Sequence, residues 1–413
     1  MGDSMPGKNS EPEKISRKFF ITGAGFAIGI LLLISTVSCG GTEPVTTSAA
    51  GPATATDASQ SIAPSTNTST THEVMIDGHS LTIPEGFTMT RWVTGRDTLR
   101  MMALTSDGLL LVTEMGRGNV LGFRLSEENP EPVTVISGLN QPSGITVDGD
   151  SIYIGEEDQV SLYQYRGGGE VGEGRVIIPD LPVGGHITRT VAVGPDRRLY
   201  LAVGSSCNIC EETDARRAAL SRCNLDGSGC EVFASSLRNT VGFTWQPLTG
   251  EIWGVDNGRD GIGDDLPPDE VNIIMQGKNY GWPYCYGSFM VNPEYVEDRE
   301  KARFCEATES PAVELQAHSA PLGLRFLNDP VWPADYQQNL FIAFHGSWNR
   351  TVPTGYKVVR VDRDRRVTDF ITGWLDEKTG KAWGRPVDIL FVDNKMYITD
   401  DSSGSIYRVT RSI

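Results

Sequence analysis

Short alternating apolar runs, each broken by a tight polar turn, recur six times along this 413-residue chain. They span residues 103–112 around Ser106-Asp107-Gly108, 145–154 around Asp148-Gly149-Asp150, and 191–203 around Gly194-Pro195-Asp196. The next are 243–255 around Pro247-Leu248-Thr249-Gly250, 324–344 around an enlarged loop with Pro330, Pro333 and Asp335, and 389–398 around Asp393-Asn394. Alternation of period two on both sides of a turn is the signature of a β-hairpin. One small twisted sheet cannot bury both of its faces. Packing such sheets around an axis solves that and leaves only short edges. Recurrence at intervals of roughly 40–80 residues therefore predicts an all-β, six-bladed β-propeller of four strands per blade. Residues 257–323 are expected to form a long insertion over one rim. A pair of β-sandwiches is the competing architecture, and the even spacing favours the propeller.

The N-terminus reads as an address. Lys14, Arg17 and Lys18 precede a mainly apolar stretch, residues 19–37, which ends in Thr36-Val37-Ser38-Cys39-Gly40. A basic segment, an apolar segment and small residues make a secretory signal. A Cys directly after them resembles a bacterial lipobox, which implies cleavage before Cys39 and lipid on its thiol. An uncleaved anchor is the alternative, although Gly23, Gly25, Gly29, Ser35, Thr36 and Ser38 make a poor permanent span. Both readings export the rest of the chain, to the extracytoplasmic face of the cell membrane. Residues 1–38 are thus expected as a lipoprotein signal peptide and 39–75 as a flexible Thr/Ser/Ala/Pro tether. The propeller is expected over 76–413. With 36 basic against 53 acidic side chains, the formal charge of −17 argues against nucleic-acid binding.

Six Cys remain after Cys39. An even number in an exported chain suggests disulfides, and six allow 15 pairings. Proximity favours Cys207–Cys210, Cys223–Cys230 and Cys285–Cys305. The residue after Cys207-Asn208-Ile209-Cys210 is Glu211, not His, so this is no c-type haem site. Half a zinc site or a redox pair competes with the reading of this motif as a loop staple.

The candidate chemistry lies in a series of motifs. Gly184-Gly185-His186-Ile187-Thr188-Arg189 comes first, then Gly204-Ser205-Ser206-Cys207, Leu237-Arg238-Asn239 and Asp256-Asn257-Gly258-Arg259-Asp260. Pro267-Pro268-Asp269-Glu270, Asn279-Tyr280-Gly281-Trp282, Ala317-His318-Ser319, His345-Gly346-Ser347-Trp348-Asn349-Arg350 and Gly384-Arg385-Pro386 follow. This order resembles the soluble pyrroloquinoline quinone (PQQ) sugar dehydrogenases of the sorbosone dehydrogenase type, over roughly residues 80–412. The resemblance implies a six-bladed propeller carrying PQQ and Ca²⁺ on one face, which oxidises a sugar or sugar aldehyde by hydride transfer. Electrons would leave to an external acceptor, because no haem or flavin motif is present.

His186 is the expected general base, since an imidazole suits proton removal near neutral pH. The glucose-oxidising relatives carry acids where this chain has Gly185 and Ser205, so another partner is needed for the ring, with Glu211 and Glu212 as candidates. Arg238 and Asn239 resemble the family's quinone-contacting pair, the guanidinium stabilising negative charge. Arg189 could bind a cofactor carboxylate bidentately. Arg385 matches the first of two family arginines and Val387 stands at the second, so Arg350 is expected to compensate. His318 occupies another cofactor-contacting place. Trp282 and Trp348 read equally as packing or as substrate platforms.

The acidic, Gly-rich residues 256–270 suit Ca²⁺ with hard oxygen ligands. The resemblance places carbonyls of Gly258 and Arg259 on a calcium that touches PQQ. It places Glu270, Tyr280 and Tyr286 near a second calcium, whose further carboxylate is missing near Met290. Two other functions stay open: a propeller hydrolase of sugar lactones, and a non-catalytic cell-surface binding module, which the missing acids around His186 would favour.

Overall fold

The computed structural model describes residues 70–412. Six antiparallel blade sheets follow one another in chain order, five of four strands and the second of five, with Glu170–Val171 as its extra short strand. Each expected hairpin is the inner pair of one sheet. In blade 1 Leu99–Leu104 pairs Leu109–Glu114. In blade 2 Gly144–Asp148 pairs Ser151–Gly155, and in blade 3 Arg189–Val193 pairs Leu199–Val203. Blades 4, 5 and 6 begin with Thr240–Trp245 and Ile252–Asp256, Pro321–Phe326 and Leu340–Phe344, and Pro386–Val392 and Lys395–Asp400. The first strand of each blade packs on the first strands of its two neighbours, and blade 6 meets blade 1, so the ring is closed.

The closure itself was not visible in the hairpin pattern. The outermost strand of blade 6 is Phe87–Val93, from before blade 1, and it pairs antiparallel with the last strand, Ser405–Arg411. Joining the two ends of the domain in one sheet makes opening the ring cost a whole strand pairing. Apolar faces of adjacent blades form separate cores between them. Trp332, Tyr336, Phe341, Phe370 and Phe87 fill one such core. Burying one of those rings contributes roughly 1.5–3 kcal/mol.

Two boundaries differ from expectation. Residues 71–75 were assigned to the tether, yet Thr71–Ile76 is a strand paired with His79–Pro84. Val74 and Ile76 lie on one face of it and pack on the blade 5–6 core, while Glu73 and Met75 face solvent. Residues 257–323 are only partly a rim insertion. Asp269–Ile274 and Val313–Leu315 are the two outer strands of blade 4. The true insertion between them holds a small Cys285–Tyr286/Met290–Val291 ladder and the helix Arg299–Cys305, capped by Asp298. The three disulfides are Cys207–Cys210, Cys223–Cys230 and Cys285–Cys305, as proximity suggested. The signal segment 1–38, Cys39 and most of the tether lie outside the described residues.

Candidate active site

In every blade the start of the first strand and the end of the second lie on the same rim. Two loop positions per blade therefore converge around the axis. His186, Arg238-Asn239, His318 and Arg385 precede first strands, whereas Ser205, Asn257-Gly258, His345 and Asp401 follow second strands. Motifs scattered over two hundred residues become one ring of side chains for this topological reason.

On blade 3 the His186 ring lies against the loop after Leu199–Val203. Its Nδ1 is 3.0 Å from both the carbonyl and the hydroxyl oxygen of Ser205. The Ser205 hydroxyl donates to the Cys207 carbonyl at 2.8 Å, so its proton is already committed. A carbonyl can only accept, which puts the hydrogen on His186 Nδ1 and leaves Nε2 with a free lone pair. Burial, followed by the Arg238 cation, pushes the imidazolium down to about 4, so the ring is neutral at neutral pH. Neither acid suggested as its partner reaches it. Glu211 pairs with Lys301, and Glu212 accepts from the amide and hydroxyl of Ser206. A backbone carbonyl orients the ring, and a carbonyl leaves no trace in a sequence.

Glycine makes this approach possible at two places. A Cβ on Gly185, whose φ is +64°, would lie 2.5 Å from the Ser206 carbonyl oxygen. One on Gly204 would lie 2.4 Å from Asn239 Oδ1 and 2.7 Å from His186 Cβ, so Asn239 and His186 adjoin across that glycine.

Arg189 is placed differently from the expectation of a cofactor-facing cation. It is 0% exposed, and its guanidinium donates to the carbonyls of His186 (2.7 Å), Thr188 (2.9 Å) and Pro182 (2.6 Å). It braces the His186 loop from beneath. Arg217, which sequence reasoning missed, does the same from the other side through the carbonyls of Gly184 (2.8 Å) and Val183 (2.6 Å).

Arg238 adjoins the His186 site, because its carbonyl accepts the Ser205 amide at 2.8 Å. Its Nη1 donates to the carbonyls of Asn257 and Gly258, both at 2.9 Å. The Asn239 amide donates to Asp256 at 2.5 Å. One residue pair thus spans from the imidazole to the acidic loop.

The acidic loop itself surrounds a cavity of about 20 Å³, room for one ion or water. Gly258, Arg259, Glu270, Tyr280 and Tyr286, expected at two calcium sites, all line this one cavity. Asp256, from the acidic stretch singled out for Ca²⁺, lines it too, as does Asn292, which was not anticipated. Asp256 and Glu270 face each other across adjacent strands. Burial and then Glu270 push Asp256 up to about 8, and burial pushes Glu270 up to about 7. Asn292 is 1% exposed and its Oδ1 has no hydrogen-bond donor. Two buried carboxylates and an orphaned amide oxygen around an ion-sized space are a donor set that fits a hard divalent cation. The Arg259 side chain turns away to Glu294. Trp282 is buried at this cavity, which settles it as packing, while Trp348 is 77% exposed.

Blade 5 closes the far side. His318 Nε2 lies 2.9 Å from the Gly263 carbonyl, so the ring props the acidic loop from below. Arg350 reaches Asp265 at 3.1 Å and the Ala317 carbonyl at 3.3 Å. Arg385 holds the carbonyls of His345 (3.0 Å) and Gly346 (2.6 Å). His345 Nε2 pairs with Asp401 at 2.8 Å, and Arg100 holds the other Asp401 oxygen at 2.8 Å. The rule that could have found Ser205, His345 and Asp401 is their position, directly after a second strand.

Comparison with known proteins agrees with the fold and with the motif resemblance. A protein of Borreliella burgdorferi, described as uncharacterized, is 30% identical over 354 residues, 80% of this chain and 90% of that one. A Hypocrea jecorina protein named as a PQQ-dependent sugar dehydrogenase is 24% identical over 382 residues, 77% of this chain and 86% of the relative. The calcium structure of the Trichoderma reesei carbohydrate-active enzyme of family AA12 shares the fold, with a TM-score of 0.70 and 22% identity over 83% of this chain and 99% of that one. The resemblance drawn from the motifs therefore holds. Residues 81–412 match the TrAA12-like family, and the chain belongs to it.

Proposed function

We propose that the rim around His186 and Arg238 oxidises a sugar hydroxyl or hydrated sugar aldehyde, of aldose or sorbosone type, with PQQ and Ca²⁺ as resident groups. The observation that carries this reading is the neutral imidazole with its free Nε2 held beside a fixed guanidinium. When bound, PQQ supplies an electron-pair acceptor and Ca²⁺ a Lewis acid that polarises it. His186 Nε2 takes the proton of the reacting hydroxyl, its ring direction set by Ser205. Arg238 offers a preorganised positive charge to oxygen on which negative charge gathers. Arg350 and Arg385 add positive charge on the far side of the ring, where a polycarboxylate would be held. Asp256, Glu270 and Asn292, with carbonyls around the cavity, would hold the cation. The calcium structure of the family relative supports that choice of ion. Trp348, open to solvent, offers an aromatic face to the sugar.

Three disulfides suit an oxidising compartment, which supports export, and the lipobox-like Cys39 supports a lipid anchor. The test is reconstitution. Quinone-free protein should reduce a dye with an aldose only after PQQ and Ca²⁺ are added. Release of acid from a lactone without PQQ would support a hydrolase instead, and failure to bind PQQ would support a surface module.

A further inference from the structure

Between the base and the cation lies a four-residue loop closed by the Cys207–Cys210 disulfide. It reaches three parts of the site at once. The Cys207 carbonyl accepts the Ser205 hydroxyl at 2.8 Å, the bond that assigns the proton of His186. Asn208 accepts from Arg238 twice, with its carbonyl on Nε and its Oδ1 on Nη2, both at 3.1 Å. The same Oδ1 accepts the Asp260 amide at 2.8 Å, and Nδ2 donates to the Asp260 carbonyl at 3.0 Å. A guanidinium only donates, so the amide orientation of Asn208 is dictated rather than chosen.

Arg238 is therefore gripped on two edges. Asn208 holds Nε and Nη2, while the turn carbonyls of Asn257 and Gly258 hold Nη1. The second grip belongs to the lining of the cavity. The first belongs to a solvent-exposed Asn on a short loop without regular secondary structure. An exposed Asn would sample several rotamers and backbone states if its loop were free. The disulfide closes the loop around it and leaves few.

We propose that Asn208 is a positioning residue that fixes the plane of Arg238 beside His186, and that the Cys207–Cys210 disulfide is the strut that holds Asn208 in place. This rests on the functional reading above. It assigns to the Cys-x-x-Cys motif a role in the geometry of the reaction rather than in folding alone. It also separates this disulfide from Cys223–Cys230, which closes the turn between the outer strands of blade 3.

The reconstituted full chain gives the first test. Asn208→Ala should lower kcat by about 30-fold with KM for the sugar within about threefold, since a displaced charge costs the chemical step. Asn208→Asp keeps an oxygen for Arg238 and should retain at least about a third of the rate. The Cys207→Ser/Cys210→Ser pair should lose about tenfold, and Cys223→Ser/Cys230→Ser less than about twofold. Wild-type kcat in Asn208→Ala, or a loss in Asn208→Asp as deep as in Asn208→Ala, overturns the proposal.

The second test uses the protein without quinone or metal. Solvent exchange of the Arg238 Nη2–H, which Asn208 Oδ1 holds, followed by NMR, should be slow in the wild type and at least about tenfold faster in Asn208→Ala. Unchanged exchange overturns the proposal whatever the turnover. A wild type that stays inert with PQQ, Ca²⁺ and sugars would remove the functional reading, and the exchange measurement would still decide the positioning.

Discussion

The two halves of the rim are organised by opposite means. Around His186 and Arg238, a neutral imidazole and a cationic guanidinium are held by backbone carbonyls of Ser205, Asn208, Asn257 and Gly258. Around Asp256 and Glu270, carboxylates are buried facing one another over an ion-sized space. The first half has its hydrogen bonds in place as it stands. The second holds acids whose burial raises them far above the usual carboxylate range, an arrangement that a divalent ion relieves. Under the proposed function a reaction site and a cation site share a wall, and Arg238 is that wall.

Removing the base breaks the first half most deeply. His186→Ala should cost on the order of 10²–10⁴-fold in kcat while PQQ binding, followed by absorbance titration, stays within a few-fold. Arg238→Ala comes next, at on the order of 10²-fold in kcat. Because this residue also holds the Asn257 and Gly258 carbonyls, its loss should weaken the apparent affinity for Ca²⁺ as well. A fall in turnover with unchanged calcium affinity would separate the two halves and deny the shared wall.

The cation half is tested without turnover. Calcium at about a hundred times its Kd should add about 2.7 kcal/mol, or about 4 °C in Tm, and Glu270→Gln should abolish that gain. Calorimetry with and without chelator reads it.

The pH dependence sharpens the comparison further. A His186 pKa pushed down to about 4 keeps Nε2 unprotonated above that value. The acid limb of kcat/KM in the free enzyme should therefore fall near pH 4, not near the ordinary histidine value of about 6.5. The linked stability has the same sign. The unfolded chain binds the proton more readily, so this contribution is full above about pH 6.5 and is lost as pH falls toward 4. The smallest expected effect is Arg217→Ala. Freeing the Gly184 and Val183 carbonyls should loosen the His186 loop and lower kcat by about tenfold.

Legibility followed the same division. The six hairpins could be read because period-two alternation and turn residues are local properties. The ring closure by Phe87–Val93 could not, because it pairs residues more than three hundred positions apart. His186, Arg238 and the acidic loop stand in motifs. Ser205 was noticed only as a missing acid, since its contribution is a carbonyl, and every residue has one. Arg189 was misplaced for a related reason. A charged side chain reads as a ligand contact until its neighbours are known, and here those neighbours are the carbonyls of its own loop. Asp256 and Asn292 meet at the cavity only after the insertion folds back along blade 4.

The account stands most directly on one titration of quinone- and metal-free protein with PQQ in the presence of Ca²⁺, followed by the quinone absorbance. It predicts saturation at one PQQ per chain in the wild type, with affinity weakened at least about tenfold in Arg238→Ala. No saturable binding, or binding unaffected by Arg238→Ala, would contradict it.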